Sequence, residues 1–94
     1  MTPQEFEHVL AAEGITTMAQ VERPVGYGLG LHAHPFDAIA LITAGEITLV
    51  VDGVATRYAV GDVFRLPAGT LHTESAGSDG VRYTAGRREK VGAA

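Results

Sequence analysis

The sequence predicts an all-β domain, a barrel or sandwich of short strands entered through one short N-terminal α-helix. Three observations carry this expectation. From Ile15 onward, short β-type runs are broken by glycine-containing turn signals about every eight to twelve residues. Asp52-Gly53, the pair favoured in a type I′ turn, separates two runs of alternating apolar residues. A helical pattern is confined to the first fourteen residues.

The helix is expected over about residues 3–13. Thr2 serves as N-cap, Pro3 suits the first helical position, and Glu5 completes a capping box three residues after Thr2. Gly14 can close the other end in the left-handed conformation. Phe6, Val9 and Leu10 form one apolar stripe, which leaves Glu7 and His8 facing solvent. The runs that follow, from "ITTMAQVERP" to "VRYTAGR", are expected to build the barrel over about residues 15–88. In the Asp52-Gly53 hairpin, Ile47, Leu49 and Val51 alternate with Thr48 and Val50, and Tyr58 and Val60 alternate with Arg57 and Ala59. One face is therefore core, and Val50 on the other is available to a dimer interface. Arg87, Arg88 and Lys90 are expected in a short solvated C-terminal tail.

A chain of 94 residues makes one domain. At this length folding buries only about 60–65% of the surface exposed by the unfolded chain, so stability is marginal without reinforcement. There is no cysteine, so no disulfide is possible, which leaves a bound metal or a partner subunit. The formal charge of −4 repels phosphate backbones, so nucleic acid is not expected as a partner. No apolar run approaches a membrane span and no basic stretch leads into an apolar one, so the expectation is a cytoplasmic protein without membrane contact.

The chemistry concentrates in two stretches. In "LHAHPFDAIALITAGE", His32 and His34 stand two apart, and on a strand such residues point the same way. Two imidazoles on one wall suit a metal, although the same pair also fits surface or core histidines. In "GDVFRLPAGTLH", His72 follows Gly61, Pro67 and Gly69 in a setting that could present a third imidazole. "GYGLG" resembles a phosphate loop only superficially, because no helix follows it.

Together the two stretches resemble the paired motifs of the cupin superfamily. Gly26, His32, His34 and Gly45 match the first motif, and Gly61, Pro67, Gly69 and His72 match the second. The resemblance implies a jelly-roll barrel, a small-molecule ligand or substrate, a homodimer, and one divalent metal ion on His32, His34 and His72. Two motif positions depart. The glutamate that usually adds a fourth ligand falls at Ala38, and the asparagine falls at Ala76. Three readings follow: a metal held by the histidines alone, a carboxylate from Asp37 or Glu74 as substitute, or a pocket that binds a ligand without metal. Strand alternation turns Asp37 away from the vacant position. Glu74 shares the face of His72 and could act as ligand, as acceptor to a ligand, or as catalytic acid–base group. Iron, zinc, nickel, manganese and copper all suit such a donor set. The function implied is that of a dioxygenase- or isomerase-like enzyme on a small organic molecule, the alternative being a non-catalytic binding or sensing module. Phe36, Ala38, Phe64 and Leu66 are expected to line the pocket. Tyr27 is placed outside it by parity, and which of Arg82 and Tyr83 faces inward stays open.

Overall fold

A computed structural model describes residues 1–89. Helix α1 (Pro3–Ala12) is followed by six strands: β1 (Thr17–Arg23), β2 (Gly28–His32), β3 (Phe36–Val51), β4 (Val54–Ala59), β5 (Val63–Leu66) and β6 (His72–Glu89). The capping box forms as the sequence predicts, with Glu5 N–H donating to Thr2 Oγ1 and Thr2 N–H donating to Glu5 Oε1. Gly14 takes the left-handed conformation just past the helix. His8 is exposed. No helix among the described residues is long and apolar enough to cross a membrane.

All pairings are antiparallel, and two long strands organise them. The first half of β3 and the second half of β6 pair with each other, flanked by β5 and β1 respectively. Beyond the bend, the second half of β3 and the first half of β6 pair again, now flanked by β4 and β2. The runs on either side of Gly45 were expected as separate strands. They are one strand, because the register shifts between Ile42 and Ile47 let the chain turn the corner without leaving the ladder. Gly45, at φ 69°, lies against Gly80, so closely that a Cβ there would run into the Gly80 carbonyl. Both long strands bend at this crossing.

The inward faces enclose one core. Ala40, Ile42, Phe64, Leu66, Val81 and Tyr83 from one half meet Ile47 and Leu49 from the other. Alternation sends Ile39 and Leu41 to the outside of β3, where α1 covers them with Phe6 and Leu10. The type I′ expectation is met, since Asp52 and Gly53 both have positive φ. Three local expectations need correction. Val60 lies beyond the end of β4 and is exposed rather than core, and Val50 is half-buried. Arg87 and Arg88 are not a free tail: β6 continues through them, opposite Ala38 and Asp37 of β3, because ladder pairing with β3 extends as far as Phe36. Lys90 and the rest of the expected tail lie outside the described residues.

Candidate metal centre

His32 ends β2 and faces His72, which opens β6, directly across the ladder. His34 follows in the connection to β3 and is tied to the β5–β6 loop, where the Gly69 N–H donates to the His34 carbonyl at 2.8 Å. A second stitch runs beside it, from the Ala68 N–H to Asp37 Oδ1 at 2.8 Å. The loop carrying His72 and the connection carrying His34 are thus held together by backbone donors. The three rings stand 4.2 to 5.1 Å apart between centroids, and each offers a ligand nitrogen, all within 4.8 Å of one another.

The hydrogen bonds around the rings set their chemistry. His32 Nδ1 lies 2.6 Å from the Gly30 carbonyl and His72 Nδ1 lies 2.9 Å from the Thr70 carbonyl. A carbonyl only accepts, so each Nδ1 carries the proton, and in the neutral ring each Nε2 keeps its lone pair. Both Nε2 atoms are buried without a hydrogen-bond partner, and His72 is wholly inaccessible. Orphaned buried polar atoms are costly and rare, and here two of them converge on one point. Burial, and then repulsion from His72 and His32, lowers the pKa of His34 from its ordinary value, which favours the neutral imidazole that a metal needs. The donor set therefore fits a metal ion.

Glu74 completes the surroundings. Its Oε2 stands 3.5 Å from His72 Nε2 and 3.8 Å from His32 Nε2. Two ligands of one ion, each about 2.0–2.1 Å from it, stand about 3.0–3.4 Å apart, so this carboxylate lies at the rim of coordinating distance. Its other oxygen, Oε1, accepts the Tyr27 hydroxyl at 2.6 Å. Burial and this bond to a carboxylate raise the Tyr27 pKa, so the phenol keeps its proton. Asp37 is placed differently. Its carboxylate accepts from Ala68 and pairs with Arg88 at 3.4 Å, and it is not among the residues brought to the metal cluster. Alternation along β3 is the reason, since Ala38, its neighbour, faces the cavity.

A cavity of about 370 Å³ opens beside the histidines. Phe36, Ala38, Phe64 and Leu66 are among the residues around it, and Phe36 stacks on His34 at 4.9 Å. Tyr83 faces this cavity, and burial pushes its pKa up to about 12. Arg82 points away, its side chain reaching Glu22. The space exists because inward positions are small: Ala19, Ala38, Ala40 and Ala85 stand where larger residues would fill it. Tyr27 is the main residue that parity misplaces. Leu29 pairs with Glu74 and His32 with His72, so β2 spends three steps where β6 spends two. That bulge returns Tyr27 and Leu29 to the side of the histidines. Arg23 and Arg87, at the cavity lining, were also missed. The alternating alanines of "DAIAL" were the available signal for the cavity.

Residues 19–84 match the family model of the Cupin domain. The chain belongs to the cupin family. Solved structures agree on the fold of this cupin. It is similar to a cupin-2 domain protein from Shewanella frigidimarina, at 14% identity and TM-score 0.64 over 78% of this chain and 69% of that one. It is also similar to a cupin superfamily protein from Desulfitobacterium hafniense, at 19% identity and TM-score 0.68 over 78% and 66%. A third similar structure is the DMSP lyase DddQ from Ruegeria pomeroyi, at 26% identity and TM-score 0.70 over 82% of this chain. This cupin spans 40% of the length of that lyase. No curated protein matches the chain.

Proposed function

We propose that this cupin holds one divalent metal ion on His32, His34 and His72 and catalyses proton transfer on a small organic molecule bound in the adjoining cavity. The observation that carries the reading is the pair of buried, partnerless Nε2 atoms that converge beside a carboxylate. The metal, when bound, would supply Lewis-acid polarisation of a substrate oxygen. Glu74 supports the acid–base role: one oxygen faces the imidazoles, and the other is fixed by Tyr27. The apolar wall of Phe36, Phe64 and Leu66 excludes water from the bound molecule. Similarity to a lyase is consistent with chemistry that begins by removing a proton. Iron, zinc, nickel, manganese and copper all remain compatible with three imidazoles. A homodimer in the cytoplasm belongs to the same proposal. The outer edge of β1, which among the described residues pairs with β6 alone, and the half-exposed Met18 on it support the dimer.

A second reading, oxygen activation at an iron form, is favoured by one observation: three neutral ligands without a committed carboxylate leave several positions free. The test is solvent deuterium exchange. Metal-loaded protein is incubated in heavy water with a panel of small ketones and keto acids and followed by NMR. The proposal expects exchange beside a carbonyl that disappears in Glu74→Gln while the metal stays bound. Oxygen consumption without exchange would favour the second reading. Ligand-dependent thermal shifts with neither would identify a binding module.

A further inference from the structure

Ala38 faces the cavity at the position where the first motif carries its glutamate. Its ladder neighbours are Leu66 on β5 and Arg87 on β6, and residues opposite each other across a ladder share a face. This corner of the hollow is therefore floored by a methyl and an isobutyl group and edged by the Arg87 guanidinium. That guanidinium lies 3.7 Å from the centroid of the Phe36 ring, and Phe36 in turn stacks on His34 at 4.9 Å and 18°. The cation stands no more than two stacking steps from a metal-binding imidazole.

Arg87 is also loosely engaged. Among the described residues the carboxylate within ion-pair distance is Glu89, at 3.9 Å, with side chains 50% and 69% exposed. Such a pair contributes little in water. Arg23, the other cation at the cavity, differs: it lies over the Tyr27 ring at 5.3 Å, where Glu74 already supplies a negative charge.

Resting on the metal-centre reading above, we infer that the corner between Ala38 and Arg87 is a carboxylate subsite. The ligand carries a carboxylate that pairs with Arg87, and a second polar group a few carbons away that reaches the metal. Three neutral imidazoles leave the charge of a divalent ion to Glu74 alone among these groups, one negative charge against two positive, so the site as a whole gains from an anion. The guanidinium fork matches a carboxylate with two parallel hydrogen bonds, and its seat on Phe36 restrains it before the ligand arrives. A glutamate at position 38 would have placed a negative charge in this space and repelled such a ligand.

The test uses cobalt-loaded protein and two probes, the monohydroxamate of succinic acid and its methyl ester. The hydroxamate of each engages the metal and shifts the cobalt absorption, and only the acid presents a carboxylate. The wild-type chain is expected to bind the acid about tenfold or more tightly than the ester. Arg87→Gln should abolish this preference while leaving cobalt content and ester affinity unchanged. Ala38→Glu should abolish it as well, with cobalt retained. Equal binding of acid and ester by the wild-type chain, or a preference that survives Arg87→Gln, would overturn the subsite. A chain that takes up no cobalt would instead refute the metal centre, and the subsite with it.

Discussion

Burial and its two histidine neighbours hold the folded pKa of His34 below the ordinary value of 6.5. Above that value the ring is neutral in folded and unfolded chains alike, and stability does not depend on it. As pH falls below 6.5 the unfolded chain takes up the proton first, so folding stability is lost progressively until the folded pKa is passed. The metal-free protein should therefore show a falling thermal midpoint below about pH 6.5, and His34→Gln should flatten that part of the curve. Tyr27 acts on a different property. Tyr27→Phe removes the hydroxyl that fixes Glu74 but leaves all three imidazoles, so metal content should be unchanged while exchange activity falls by about 10–100-fold. Unchanged activity would mean that Glu74 needs no positioning. The three histidines were legible from their spacing together with the resemblance to the paired cupin motifs, whose glycines and proline stand at fixed offsets from them. Tyr27 and Arg87 were not. A one-residue bulge inverts parity with no compositional mark beyond Gly28 and Gly30, and a basic residue near a chain end looks the same whether or not a strand continues through it.

The elements differ in how much of their form is local. α1 is closed by side chains three residues apart, and the Asp52-Gly53 turn is set by two positive-φ residues, so both were readable in sequence. β3 and β6 were read as pairs of shorter strands, since glycine ordinarily marks a turn. Whether a glycine ends a strand or bends it depends on what crosses it, and here the crossing partner is Gly80, thirty-five positions away from Gly45. That crossing is what allows the same two strands to serve both halves of the barrel and to set the histidines against the cavity. Gly45→Ala must adopt a left-handed conformation and push the Gly80 carbonyl aside. It should cost at least about 2–4 kcal/mol in urea denaturation. A loss below about 0.5 kcal/mol would show that the bend is not constrained there.

At the scale of the molecule, a small chain without disulfides has joined its folding to a cluster of groups that are unsatisfied by protein partners. The buried Nε2 atoms of His32 and His72 weaken the metal-free fold, and an ion that satisfies them stabilises it by mass action. At a free metal concentration about a hundredfold above Kd the thermal midpoint should rise by about 10–20 °C, and a chelator should reverse the rise. The Tyr27–Glu74 pair and Arg87 line the same cavity as His34, so binding there and the stability of the fold are tied to one region. The most direct test of this account is the metal content of untagged protein after equilibration with a divalent ion and removal of excess, compared with His34→Ala and His72→Gln chains shown to be folded by circular dichroism. About one ion per chain is expected, lost in both variants. A wild-type chain that holds no metal, or variants that hold as much as the wild type, would contradict it.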